Sequence, residues 1–186
     1  RERVVLVTGS SRGFGEATAR ELARRGHVVV ASMRSPERDG ERVREGFESR
    51  IHPVRLDVTV MDEVVRAVEG AVERFGRIDA VVNNAGYGLY STIEDASESE
   101  VLREIDTNLV GQWRVCKVVV PHMRAAGGGT IVNVSSLGAR LVAPLTGLLF
   151  SASESAASVP GPLTVPVTVA APTRSLPATP SVSVPV

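Results

Sequence analysis

The chain has 186 residues, of which 21 are basic and 21 acidic, so its formal net charge is zero. This balance excludes a partner held by bulk charge, whether nucleic acid or an anionic membrane surface. No apolar run approaches the ~20 residues that span a bilayer, and the first residues show no signal-peptide pattern. The single cysteine, Cys116, excludes an internal disulfide and favours a reducing, cytoplasmic location. We interpret it as a small buried residue on a helix.

Residues 1–149 alternate short apolar runs with amphipathic stretches. The apolar runs predict buried strands at 3–9, 28–32, 52–58, 78–86 and 129–136, the fourth of which includes a turn. The amphipathic stretches predict a helix over 13–25 that stops at Gly26, and another over 61–75. Ser97 and Glu100 form a capping box that begins a long helix running to about Arg124. This alternation predicts an α/β fold, in which a parallel sheet carries helices on both faces.

Residues 150–186 have a different composition. Seven of the chain's 11 prolines lie here, and Glu154 and Arg174 are the only charged residues. So many prolines exclude a regular helix and argue against central strands. We predict an extended or disordered tail outside the core of a domain formed by residues 1–149.

The segment TGSSRGFG, residues 8–15, lies between the first strand and the first helix. Its glycines allow a tight turn and a close backbone approach to a pyrophosphate at the helix N-terminus. The second strand ends in Met33, where an acidic residue would bind a ribose hydroxyl, and Arg34 follows. With Arg12 in the loop, Arg34 favours NADP over NAD, because arginine binds phosphate strongly. The alternative is that Arg34 is a solvated loop residue.

Five segments together resemble the short-chain dehydrogenase/reductase family. They come in that family's order and roughly its spacing, over residues 3 to about 153: TGSSRGFG (8–15), LDV (56–58), NNAG (83–86), DTNLVG (106–111) and IVNVSS (131–136). Two more stretches, GYGLYSTIED (86–95) and VVPHMR (119–124), are similar, less specifically, to its retinol- and hydroxysteroid-dehydrogenase-like branch. The resemblance implies a Rossmann-like doubly wound sheet and hydride transfer between a nicotinamide and a carbonyl or alcohol substrate.

The resemblance also implies roles for individual residues. Asp57 and the Val58 backbone would bind the adenine, Asn108 would anchor a water in a proton relay, and Ser136 would bind the substrate oxygen. Ser135 is the alternative to Ser136. Asn83 would shape the central sheet. The implied cofactor-binding residues are Gly9, Ser11, Arg12, Gly13, Phe14, Gly15, Arg34, Asp57, Val58, Asn84, Ala85 and Gly86. The scattered histidines predict no metal site.

The family's catalytic Tyr-x-x-x-Lys motif is replaced in this sequence. The best alignment, with one inserted residue, places Phe150 at the tyrosine and Glu154 at the lysine. Phenylalanine has no proton to donate, and a carboxylate would raise a nearby phenol's pKa rather than lower it. Losing a positioned acid or base typically slows a reaction ~10²–10⁴-fold. We predict weak or absent turnover. Tyr87 or Tyr90 as a substitute acid is a minor alternative.

The tail stands where the family continues with further helices and strands. We expect the fifth strand to be an unprotected edge and the family's usual homo-oligomer to be doubtful. A shifted reading frame after about Gly147 is one hypothesis for the change of composition. Three interpretations stay open: a weak or inactive NADP-dependent oxidoreductase, which we favour, a non-catalytic dinucleotide-binding module, and a truncated product without function.

Overall fold

The computed structural model describes residues 1–92 and 94–135, together with the backbone of residues 158–159. Its helices are α1 Gly13–Arg24, α2 Pro36–Arg44, α3 Met61–Phe75, α4 Glu98–Ile105 and α5 Gly111–Ala125, with a π-helical turn over Asp106–Val110 between the last two. Its strands are β1 Val4–Val7, β2 Val28–Met33, β3 Ile51–Arg55, β4 Ala80–Asn83, β5 Gly129–Asn133 and β6 Ser158–Val159.

The sheet has the strand order β3-β2-β1-β4-β5-β6, and its first five strands are parallel. All four residues of β1 are buried, because helices cover both faces of the sheet. Val4 and Leu6 pack with the core formed by α3 and α5, whereas Val5 and Val7 pack with α1 and α2. The predicted doubly wound arrangement is therefore confirmed.

Helix boundaries follow local signals in the sequence. Gly26, at φ +86°, follows the end of α1, and Gly76, at φ +77°, ends α3 in the left-handed conformation that glycine adopts most easily. The capping box at the start of α4 is present as predicted: Ser97 Oγ accepts from the Glu100 N–H, and the Glu100 carboxylate accepts from the Ser97 N–H.

Several elements differ from the sequence-based prediction. Helix α2 was not predicted; it is a polar nine-residue helix with Pro36 in its first turn and Gly40 and Val43 buried. The predicted single helix over 97–124 is interrupted, because the π-helical turn at 106–110 separates α4 from α5. The first, third and fifth strands end earlier than predicted, at Val7, Arg55 and Asn133 rather than at residues 9, 58 and 136.

A further difference lies at the edge of the sheet. We expected the outer edge of β5 to be unprotected and residues 150–186 to be an extended or disordered tail. Instead, β6 runs antiparallel to the start of β5, with Gly129 opposite Val159 and Thr130 opposite Ser158. Neither Ser158 nor Val159 is a proline, so both carry the backbone N–H that strand pairing requires. The start of β5 is therefore paired.

Candidate functional site

The candidate site lies at the carboxyl ends of the parallel strands, between β1 and β4. The chain runs from β1 outward to β3 and then returns across the sheet to β4, so the loops after β1 and β4 diverge here. Open α/β sheets bind ligands in the crevice at such a switch point.

Glycine is required in the loop after β1 by both conformation and space. Gly9 has φ +67°, and a Cβ there would lie 2.9 Å from the Cα of Ala85. A Cβ on Gly15 would collide with the Gly9 carbonyl oxygen, and Gly13, at φ +60°, faces open space. The loop therefore folds tightly against the segment after β4, with the start of α1 behind it.

Thr8 and Asn84 tie the glycine loop to the segment that follows β4. The Thr8 hydroxyl accepts from the backbone N–H groups of Asn84 and Ala85, each at 3.0 Å. In return, the Asn84 amide donates to the carbonyls of Thr8 at 3.0 Å and Gly9 at 3.2 Å. Asn84, which is predicted to bind the cofactor, lines the cleft, and its side chain also holds the loop. Thr8 was not predicted as a site residue, since its only signal was its place before the first glycine.

Arg42 of α2 holds the other side of the same loop. Its guanidinium donates to the Ser11 carbonyl and lies 2.6 Å from the Glu16 carboxylate in the first turn of α1. The hydrogen bond to Glu16 raises the pKa of Arg42. Arg42 was not predicted as a site residue, because α2 was not predicted either.

Two arginines predicted to bind phosphate, Arg12 and Arg34, both line the cleft and are exposed. Met33 lies beside them at the end of β2 and is buried, so no acidic side chain ends that strand. The nearby acid, Asp39, forms an ion pair with Arg38 at 2.8 Å, and this hydrogen bond lowers the pKa of Asp39.

Asp57 lies after β3, where backbone and side-chain contacts hold it. Its Oδ1 accepts from the N–H and the hydroxyl of Thr59, at 2.9 and 2.7 Å. Its own N–H donates to Glu63 at 2.8 Å, a bond that lowers the pKa of Glu63. The neighbouring residue, Val58, packs closely on Gly111: a Cβ added to Gly111 would lie 2.6 Å from a Val58 methyl group.

Asn108 lies within the π-helical turn and is buried. Its side-chain amide pairs with both backbone groups of Tyr87: Oδ1 accepts from the N–H at 3.0 Å, and Nδ2 donates to the carbonyl at 2.7 Å. A π-helical turn in an otherwise α-helical stretch often marks a functional site. The role of Asn108 in a proton relay stays a prediction.

Two other buried groups lie near the site. Asn83 donates to Asn133 Oδ1 at 2.8 Å, which links the ends of β4 and β5. Cys116 is half-buried, and burial raises the pKa of its thiol. A raised pKa keeps the thiol protonated and poorly nucleophilic, which agrees with the packing role predicted for it.

These elements enclose a cleft of about 930 Å³. Most of the predicted cofactor residues line it: Gly9, Ser11, Arg12, Phe14, Arg34, Asp57, Val58, Asn84, Ala85 and Gly86. Asn108 and Ser135 line it too, whereas Gly13 and Gly15 support the loop without lining the cleft. Ser136, Phe150 and Glu154 lie outside the described residues. Within the described part of the chain, no acidic, histidine or cysteine cluster could hold a metal ion, and no helix is long and apolar enough to cross a membrane.

Comparison with known proteins supplies the family. The sequence model of the short chain dehydrogenase family matches residues 3–158 of this chain. The chain belongs to the short-chain dehydrogenase family. It is similar to the oxidoreductase BOA17 of Botryotinia fuckeliana, with 41% identity over 142 residues that cover 76% of this chain and 52% of that protein.

Solved structures share the fold of this chain. A structure of ElxO with NADP bound has a TM-score of 0.73 and 29% identity, over 78% of this chain and 60% of that one. A gluconate 5-dehydrogenase from Burkholderia cenocepacia, in complex with NADP and tartrate, has a TM-score of 0.70 and 33% identity. The match covers 77% of this chain and 57% of that one. The chain spans about half the length of the curated relatives it matches.

Family membership confirms the resemblance drawn from the five motifs. Short-chain dehydrogenases are oxidoreductases that bind a nicotinamide cofactor and act on small molecules. In this chain, the glycine loop, in which Gly9 and Gly15 leave no room for a Cβ, fits the phosphates of such a cofactor. The cleft beside this loop is lined by most of the residues predicted to bind the other parts of the cofactor.

Proposed function

We propose that this short-chain dehydrogenase binds NADP(H) in the cleft between β1 and β4. The observation that carries the proposal is the glycine loop, which Thr8, Asn84 and Arg42 hold closed beside the N-terminus of α1. Free N–H groups at a helix N-terminus attract phosphate. The loop would hold the pyrophosphate, and Asp57 with the Val58 backbone would bind the adenine.

The charges around the cleft support NADP over NAD. Arg12 and Arg34 line the cleft, and Met33 occupies the end of β2, where an acid would repel a 2′-phosphate. Asp39 is already paired with Arg38. ElxO and the gluconate 5-dehydrogenase were both solved with NADP, which agrees with this preference.

We further propose that catalysis in this chain is weak or absent. A bound nicotinamide would exchange a hydride with a carbonyl or secondary alcohol carbon of a small-molecule substrate. Ser136 would bind the substrate oxygen, but the sequence places Phe150 and Glu154 where the family has its proton donor and the lysine that tunes it. The second candidate is therefore a non-catalytic NADP-binding module. The cytoplasmic location stays a prediction.

Fluorescence titration with NADPH and NADH tests cofactor binding and preference. We expect Arg34→Ala to weaken NADPH binding about 10- to 150-fold, the loss of one charged hydrogen bond of about 1.5–3 kcal/mol, and to leave NADH binding unchanged. Arg24→Ala is the matched control, because Arg24 pairs with Glu21 on the surface of α1. Equal weakening for both cofactors would contradict the assignment of Arg34 to a 2′-phosphate.

Turnover separates the two candidate functions. NADPH oxidation with a panel of small aldehydes and ketones is measured in the unaltered chain and in the double variant Phe150→Tyr, Glu154→Lys. We expect NADPH binding in both and faster oxidation in the variant, by up to the ~10²–10⁴-fold that a positioned acid supplies. Binding without turnover in either protein would favour the non-catalytic module.

A further inference from the structure

Glu104 of α4 is a buried carboxyl that the proposed function does not use. Its exposed fraction is 0%, and among the described residues it is the one acidic or basic side chain in the buried class. An ionised carboxylate without a cation is costly to bury, and burial raises the pKa of Glu104. A group retained at such a cost needs an explanation.

The contacts of Glu104 point to the segment after β4. Its Oε1 accepts from the backbone N–H of Leu89 and from the side-chain Nδ2 of Asn108, each at 3.4 Å. Within the described residues, Oε2 is shielded from solvent and has no hydrogen-bond partner. Neither contacting group titrates or carries a charge.

Glu104 faces the NH₂ side of the Asn108 amide. Only the NH₂ side of that amide can donate to a carboxyl oxygen. With Nδ2 turned to Glu104, Oδ1 is left to accept the Tyr87 N–H at 3.0 Å, while Nδ2 also reaches the Tyr87 carbonyl at 2.7 Å. A flipped amide would lose all three contacts.

We propose that Glu104 is a positioning residue that locks the Asn108 amide and, with the Leu89 N–H, holds residues 86–91 as one wall of the cleft. Gly86, Tyr87, Gly88 and Tyr90 of that segment line the cleft. The effect of the wall on ligand binding rests on the proposed function, whereas the positioning itself does not.

Amide hydrogen exchange followed by NMR tests the proposal in the full chain. Glu104→Met keeps the side-chain length and removes the acceptor, and Glu104→Gln restores it. We expect Glu104→Met to speed exchange at Tyr87 and Leu89 about fivefold or more and to shift the Asn108 side-chain resonances. We expect Glu104→Gln to restore both. Glu98→Met is the control, because Glu98 is exposed on the same helix.

Three results would overturn the proposal: unchanged exchange at Tyr87 and Leu89 in Glu104→Met, equal effects of the Met and Gln variants, or faster exchange throughout α3 and α5. If Glu104→Met does not fold, hydrogen exchange in the unaltered chain tests the proposal instead. The Leu89 N–H and one Asn108 Nδ2 proton must then exchange far more slowly than free amides, and rapid exchange of either refutes the lock. A chain that fails to bind NADPH refutes the proposed function and leaves these exchange results intact.

Discussion

Replacing Gly9 by alanine tests whether the glycine loop is built as described. The residue has φ +67°, in the left-handed region, and its carbonyl accepts from Asn84. Alanine adds one methyl group, which would lie 2.9 Å from the Cα of Ala85 and 3.2 Å from the Asn84 Nδ2. The nearest of these atoms belongs to the backbone, so it cannot rotate away.

Two costs add at this position. The left-handed conformation costs about 1–2 kcal/mol for a residue with a Cβ, and overpacking against a fixed neighbour costs about 1–3 kcal/mol. We therefore expect Gly9→Ala to lower the free energy of unfolding by about 2–5 kcal/mol. Because relief of the contact would move the loop away from Ala85, NADPH binding should weaken as well.

Urea unfolding followed by circular dichroism measures the first effect, and NADPH fluorescence titration measures the second. Gly70→Ala is the matched control, because Gly70 lies in α3 with open space around its Cα. Alanine there should stabilise the chain by about 0.5–1 kcal/mol through helix propensity. If Gly9→Ala unfolds at the same urea concentration as the unaltered chain, the loop does not have the backbone described here.

Three further outcomes are expected. Thr8→Val should destabilise the chain by about 1–3 kcal/mol in urea unfolding, since it removes the acceptor of two backbone N–H groups. Thr8→Ser keeps a hydroxyl and should restore most of the lost stability. A serine variant as unstable as the valine variant would contradict the role given to the Thr8 hydroxyl. Ser97→Ala should lower stability by about 0.5–2 kcal/mol and Ser97→Gly by only a few tenths, since glycine tolerates the cap position. Burial raises the pKa of Glu104, so the folded chain retains a proton that the unfolded chain releases: stability should fall as pH rises from the ordinary pKa of Glu104 through the raised one. Glu104→Gln should remove that fall, and an identical pH profile in both proteins would show that Glu104 titrates normally.

Several parts of the site could be predicted because their signals are local. The glycines of the loop, the capping box at Ser97 and the glycine stops at Gly26 and Gly76 each act within a few residues of chain. The continuous apolar run of β1 predicted burial on both faces. Motif order then led to the family.

Other parts could not be predicted, because their causes are distant in sequence. Thr8 meets Asn84 across 76 residues and Arg42 meets Ser11 across 31, so neither contact leaves a local trace. The π-helical turn appears as ordinary helix in a hydrophobic pattern. Helix α2 is polar, and its signal is limited to Pro36 in the first turn and to two buried residues.

The replacement of the family's tyrosine and lysine by Phe150 and Glu154 stays a prediction, because it rests on the alignment with the family. The alternation of strands and helices and the place of the glycine loop, in contrast, follow from the sequence itself, since they depend on residue type and short spacing. The tertiary structure was needed to show that the Asn84 side chain holds the loop, that β6 pairs with β5, and that Glu104 is buried behind Asn108. Hydrogen-bond direction and burial arise when distant segments meet, since most buried polar groups pair with a partner that the linear order does not specify.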